Sequence, residues 1–128
     1  MQKMTSENIP NKEACTAALR NVLDALYVIS GKWKLPIILT LVQSPRRFNE
    51  IQHELGSISP KVLSSELKDL ELNGFIRRNI FPTQPVSIIY EATDYSATLR
   101  NVLHELGAWG KQHRERIRES IRQASVVE

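Results

Sequence analysis

Cysteine is almost absent from this 128-residue sequence, which contains Cys15 and no other. A single thiol excludes an internal disulfide and any zinc site built from several cysteines. Aromatic residues make up only 6% of the chain, and the longest apolar run, residues 35–42, is too short to cross a bilayer. The first fifteen residues lack the apolar stretch of a secretory signal. We therefore expect a cytoplasmic protein that does not bind a membrane.

Catalytic and metal-binding motifs are also absent. The three histidines, His53, His104 and His113, lack the spacing of a metal-binding pair. No nucleophile motif accompanies them, and the five glycines form no phosphate-binding loop. We expect a protein that is not an enzyme and that has no catalytic residues, no bound metal and no cofactor.

The charge of the chain is weakly positive, with a formal net charge of +3 and a pI of about 9.2. Such an excess fits an anionic partner without requiring one. Within residues 44–81 the basic residues only slightly outnumber the acidic ones, so a basic surface has to come from their arrangement in space. The basic residues are Arg46, Arg47, Lys61, Lys68, Arg77 and Arg78, and the acidic ones are Glu50, Glu54, Glu66, Asp69 and Glu71.

Two short helical patterns joined by a tight turn lie near the middle of the chain. Residues 48–55 form the first pattern and residues 56–58 the turn. Ser59 caps the second helix, and Pro60 suits its first position, where a missing N–H costs nothing. Gly74 ends this helix. The pattern predicts a helix-turn-helix.

The second of these helices has one apolar and one polar face. We predict that Val62, Leu63, Leu67 and Leu70 pack inward, and that Lys61, Ser64, Ser65 and Lys68 lie on other faces. Hydroxyl and ammonium groups on an exposed helix can read the major groove of DNA, which is wide enough to admit a helix. Taken alone, such a pattern more commonly belongs to a half-buried helix with a solvated face.

Two β-prone runs follow, at residues 75–81 and 86–92, and a polar tip with two prolines separates them. A helix-turn-helix followed directly by a hairpin predicts a winged helix, in which the second helix enters the major groove and the wing contacts the backbone or the minor groove. The predicted contacts to double-stranded DNA are Arg46, Arg47, Ser59, Lys61, Ser64, Ser65, Lys68, Arg77 and Arg78. The alternative is a winged helix that binds proteins and not DNA, since a fold does not dictate function.

Long amphipathic helices flank this unit. The first runs from an Asn11 cap to about Ser30, a second covers residues 33–43, and a last helix of about 30 residues starts at Thr93 or Asp94. Both outer helices carry apolar stripes too long for so small a domain to cover, which predicts a homodimer. The predicted interface residues are Leu19, Val22, Leu23, Leu26, Leu99, Val102, Leu106 and Trp109. The fold class is thus α+β, mainly α, with flexible segments at residues 1–10 and 125–128 around a domain of residues 11–124.

Cys15 has two interpretations. An Asn11 cap places it in the opening turns of the first helix, where free backbone amides favour a thiolate and so favour a redox sensor. Glu13, two residues away, disfavours a second negative charge. A lone cysteine is also commonly a small buried apolar group.

Several strings in fixed order coincide with one known family. They are Gly31, Lys32 and Trp33; residues 45–51; residues 58–64; Leu67, Leu70, Glu71 and Gly74; Pro82, Pro85, Tyr90 and Thr93; and Trp109 and Gly110. Over residues 25–110 the chain resembles the HxlR family of prokaryotic winged helix-turn-helix transcriptional regulators. The resemblance implies a homodimer whose first and last helices form the interface, with one winged helix on each half of a pseudo-palindromic operator. It also implies control by a small-molecule or redox effector in some members.

Overall fold

The order of elements is helix, helix, helix-turn-helix, hairpin and long helix, as the sequence predicts. The computed structural model describes residues 11–126. The elements are α1 (Lys12–Ile29), α2 (Lys34–Gln43), α3 (Phe48–Leu55), α4 (Pro60–Leu72), β1 (Ile76–Phe81), β2 (Ser87–Ala92), a 3-10 helix (Asp94–Leu99) and α5 (Arg100–Val126). The predicted mainly α winged helix is therefore confirmed.

Local capping groups explain where the helices begin and end. The Asn11 side chain accepts a hydrogen bond from the backbone N–H of Ala14 at 2.8 Å, and the Ser59 hydroxyl accepts one from Val62 N–H at 3.2 Å. Each cap satisfies an amide that has no partner inside its helix. Gly74 follows α4 with φ +81°, a conformation that other residues rarely adopt. The chain can therefore turn from α4 directly into β1.

The core is built around one face of α4. Leu63, Leu67 and Leu70 are fully buried, together with residues of α2 and α3 and the start of β1. Burying a leucine side chain stabilises the fold by about 1.5–3 kcal/mol. The predicted inward position of Val62 is wrong, because this side chain is 39% exposed. It precedes Leu63 by one residue, and successive helical residues point about 100° apart.

The hairpin is joined to the helices by one extra pair of backbone hydrogen bonds. Strands β1 and β2 pair antiparallel, from Ile76 opposite Ala92 to Phe81 opposite Ser87. Arg46, in the α2–α3 connection, donates its N–H to the Tyr90 carbonyl at 2.9 Å and accepts from Tyr90 N–H at 2.8 Å. This bridge acts as one rung of a third strand and fixes the wing against the helix-turn-helix.

The α1–α2 junction anchors α1 to the domain by its last turn only. Ile29 is buried, whereas every residue from Lys12 to Tyr27 is exposed. Trp33 occupies the position before α2 without a side-chain capping hydrogen bond. It packs half-buried against the core, with the Lys32 ammonium 4.8 Å from its ring centre. No helix within residues 11–126 is by itself long and apolar enough to cross a membrane; α1 and α2 pass that test of length and composition only as a pair bent by 68°.

The last helix differs from its prediction at both ends. Its opening turns are a 3-10 helix in place of α-helix, and there the Ser96 and Thr98 hydroxyls donate to carbonyls three residues back, Thr93 and Tyr95, at 2.6 Å each. Such bonds compete with the α-helical pattern. α5 then continues to Val126, two residues beyond the predicted boundary. The predicted flexible segments at 1–10 and at the last two residues lie outside the described residues.

The α4 core face gives a stability prediction. Leu63→Ala removes a fully buried side chain, so we expect the free energy of unfolding to fall by about 2–5 kcal/mol. Val62→Ala, at the neighbouring half-exposed position, should cost less than about 1 kcal/mol. Denaturant unfolding at one fixed protein concentration measures both. Equal losses would show that Leu63 is not a central core residue.

Candidate nucleic-acid interface

The outward face of α4 is polar and free of ion pairs in the part of the chain that the structure describes. Lys61, Ser64, Ser65 and Lys68 are all exposed. They point outward because the opposite face of the same helix is buried in the core. Ser59 lies at the start of the helix, with its hydroxyl used in the cap. The result is a helix edge that combines hydroxyl donors and acceptors with two ammonium groups.

A cleft of about 270 Å³ separates α4 from the wing. Arg78 and Tyr90 are cross-strand partners, so their side chains share one face of the hairpin, and both line this cleft. From α4 come Ser64, Leu67, Lys68 and Glu71. The structure therefore brings together three of the predicted contact residues, Ser64, Lys68 and Arg78.

Arg77 lies on the opposite face of the hairpin. Its guanidinium donates to Glu91 Oε1 at 2.7 Å, directly across the two strands. A hydrogen bond from Asn79 and this contact with Arg77 lower the pKa of Glu91 below its ordinary value. Arg77 thus has a carboxylate partner already, although its side chain remains 58% exposed.

The neighbouring arginines before α3 also differ from each other. Arg46 is half-buried, with its guanidinium 3.5 Å from the Gln43 side-chain oxygen and 3.9 Å from the Glu54 carboxylate. The Arg47 side chain is exposed, and its backbone N–H donates to Glu50 Oε1 at 3.0 Å. Only Arg47 of this pair presents an unpaired cation to solvent within the described residues.

The arrangement of charges makes this surface more basic than the nearly balanced composition of residues 44–81 suggests. Among the described residues, ion pairs occupy Arg46 and Arg77 but leave Arg47, Lys61, Lys68 and Arg78 without a carboxylate within 4.0 Å. The acidic residues of α4 mostly turn away from the cleft, since Glu66 and Asp69 approach Lys34 of α2. The fold thus separates basic from acidic side chains. A basic surface on a segment of nearly balanced composition requires this separation.

Sequence reasoning did not identify Tyr90, which lines the cleft, or the ion-pair partners Lys34 and Glu91, which lie outside it. Glu91 had a usable signal, because Arg77 and Glu91 carry opposite charges at matching distances from the hairpin tip. Tyr90 could be recognised in the same way as the partner of Arg78. Lys34 had no local signal, since its partners lie on α4, far along the chain.

Most of the predicted dimer-interface residues form exposed apolar stripes on α1 and α5. Leu19, Val22, Leu23 and Leu26 are 45–58% exposed on α1, and Val102, Leu106 and Trp109 are 50–52% exposed on α5. Leu99 departs from this set because it is half-buried against the core. Cys15 is exposed as well, so the interpretation as a buried apolar group is wrong for the single chain.

Comparison with known proteins agrees with this geometry. Residues 28–118 match the model of the family described as HxlR-like helix-turn-helix. The uncharacterized HTH-type transcriptional regulator BH0655 of Halalkalibacterium halodurans is 43% identical over 86 residues, which are 66% of this chain and 76% of that protein. The name of this relative describes a transcriptional regulator with a helix-turn-helix.

Solved structures extend the likeness to three dimensions. The crystal structure of the HTH-type regulator YtcD, a protein of Bacillus subtilis, superposes with a TM-score of 0.68 at 35% identity and covers 72% of this chain and 94% of YtcD. The crystal structure of diamide-treated YodB from the same organism superposes with a TM-score of 0.63 at 36% identity. The match covers 70% of this chain and 88% of YodB. YodB has also been solved with a bound quinone. Since the family model spans most of the chain and includes the helix-turn-helix and the wing, the chain belongs to the HxlR family of DNA-binding helix-turn-helix transcriptional regulators.

Proposed function

We propose that the protein acts as a homodimer on a pseudo-palindromic operator. Each protomer places α4 in the major groove of one half-site, and its wing contacts the backbone or the minor groove. The observation that supports this most directly is the cleft between α4 and the wing, because the Ser64 side chain and the unpaired cations Lys68 and Arg78 meet there. Phosphate contacts then position the protein, and contacts to base edges specify the sequence.

The proposed division of roles follows from these positions. Arg47, Lys61, Lys68 and Arg78 neutralise phosphates, and Ser64 and Ser65 read base edges. Ser59 remains the N-cap of α4. The backbone N–H groups at this end of the helix also suit a phosphate. Arg46 and Arg77 make weaker contributions, because each already faces a carboxylate.

The proposal includes a cytoplasmic regulator that is not an enzyme and needs no cofactor. The competing function is a winged helix that binds another protein. Unpaired cations on one polar surface favour DNA, since a protein-binding surface has no need of four of them. Mobility shift of duplexes selected from a random-sequence pool separates the two functions. Failure to enrich any sequence would support protein binding.

Arg78 is predicted to contribute more to DNA affinity than Arg77. Removing one cation from a phosphate should lower the slope of log K against log salt by about 0.9. We expect this change for Arg78→Ala on all sequences, and a smaller change for Arg77→Ala because Glu91 already pairs with that guanidinium. Glu91→Gln should release Arg77 and raise the affinity. Fluorescence anisotropy over a range of salt concentrations measures all three.

Ser65→Ala is the matched control for this test. If Ser65 reads a base edge, its loss changes the preference between selected and altered sequences by roughly 1–3 kcal/mol and leaves the salt slope unchanged. A salt slope that changes equally in the serine and arginine variants would contradict the division into reading and positioning residues.

The apolar stripe on α1 gives a test of the dimer. Leu23→Glu places a charge on the exposed apolar stripe, so we expect dissociation into monomers at low micromolar concentration. Asn21→Glu introduces the same charge on another exposed face of α1 and should leave the dimer intact. Sedimentation velocity compares the two with the unmodified chain. A folded monomer of the unmodified chain would overturn the two-half-site geometry.

We propose Cys15 as the group through which an oxidant controls DNA binding. Its thiol is the only one in the sequence and is exposed near the start of α1. YodB, whose crystal structures include diamide-treated and quinone-bound forms, supports an oxidant as effector. Diamide is reduced to the hydrazine as two thiols form a disulfide, so it should join the Cys15 thiols of two protomers. Titration with diamide should therefore weaken DNA binding by the unmodified chain and have no effect on Cys15→Ser. Equal loss in both proteins, or loss in neither, would remove Cys15 from the mechanism.

A further inference from the structure

Lys34, the first residue of α2, forms an ion pair with the middle of α4. Its Nζ lies 3.2 Å from Glu66 Oε2 and 4.0 Å from Asp69 Oδ2. The side chains of Lys34 and Glu66 are only 17% and 23% exposed. Glu66 Oε2 is enclosed by protein and has no hydrogen-bond partner in the described part of the chain. Lys34 is therefore the cation that compensates this enclosed carboxylate.

The shielding of this pair distinguishes it from the other ion pairs of the molecule. Exposed ion pairs contribute little because water screens them. An enclosed carboxylate oxygen without its cation instead has an uncompensated charge, which is strongly unfavourable. Glu66 and Asp69 are three residues apart and so lie on one flank of α4. Ser64 and Lys68 line the cleft toward the wing. The ammonium thus holds α4 from the flank that does not face the wing.

Lys34 also lies where three helices meet. Together with Tyr27 and Val28 of α1, and Asp69 and Asn73 near the end of α4, it lines a small cleft of about 240 Å³. α1 is otherwise attached to the domain only through its last turn. The last turn of α1 and the end of α4 therefore face the same cleft as this lysine.

We propose that Lys34 is a positioning residue for operator recognition, which orients α4 through Glu66 and Asp69. This inference rests on the proposed function. The buried leucines hold α4 in the core, and they are apolar contacts without direction. The ion pair holds two carboxylates on one flank of α4 beside a fixed point at the start of α2, so it restrains the rotation of the helix and with it the positions of Ser64 and Ser65. Without it, phosphate binding persists because the four unpaired cations remain, whereas discrimination between sequences falls.

The test compares affinity for a selected duplex with affinity for random-sequence duplex at one salt concentration, using the full chain. Lys34→Met should lower the ratio of these affinities about tenfold, the discrimination that about one base contact provides. Lys111→Met is the matched control, because it removes one exposed cation from α5. It should leave the ratio unchanged. A purely structural role for Lys34 would lower both affinities together and leave the ratio constant, which would overturn the inference.

A charge exchange provides the second arm. Lys34→Glu and Glu66→Lys should each lower the ratio, and the double variant should restore it to within about threefold, because one cation again lies beside two carboxylates. Thermal unfolding confirms that each variant folds. If Lys34→Met does not fold, the double variant decides, and a folded double variant with a low ratio overturns the inference. If the unmodified chain and Lys111→Met show no sequence preference, the proposed function fails and this inference with it.

Discussion

Burial of Leu63, Leu67 and Leu70 fixes α4 in the core and so decides which of its side chains face solvent. These side chains fill the same core as Ile37 of α2 and Ile51 of α3, and almost none of their surface remains exposed. A helix with one face buried this completely has to present the opposite face to solvent. The polar edge of α4 and its cleft with the wing are therefore consequences of core packing.

Charge sorting builds on that placement of α4. The acidic side chains of the helix-turn-helix and wing are engaged by Lys34, Arg46 and Arg77, each of which lies away from the cleft or faces another element. The remaining cations are left for an anionic partner. A protein with a net charge of only +3 can in this way present a locally basic surface. Glu50 and Glu71 are the exceptions among the described residues, because Glu50 Oε1 accepts the backbone N–H of Arg47 and Glu71 lines the cleft itself.

The outer helices α1 and α5 carry apolar stripes that the single chain leaves exposed. α5 is 27 residues long and every one of them is exposed or half-buried. A helix of that length extends about 40 Å, beyond what the small core can cover. A second copy, as we propose, would cover the stripes of α1 and α5 at once.

Sequence patterns were sufficient to predict the order of the elements, the ends of α1 and α4 and most of the buried face of α4. Those features depend on groups a few residues apart, such as the Ser59 cap with Pro60 or the turn at Gly74, so local chemistry is sufficient. Even there the pattern was ambiguous by one residue, and Val62 was assigned to the wrong face.

The three-dimensional packing was needed to show which cations stay unpaired. Lys34 meets Glu66 only after α2 has packed against α4, whereas the pairing of Arg77 with Glu91 follows from the local register of the hairpin. The same packing turned Leu99 toward the core and Arg46 toward β2. Composition cannot supply this information, because the interaction between two charges depends on their distance and on the water between them, and both are set by the fold.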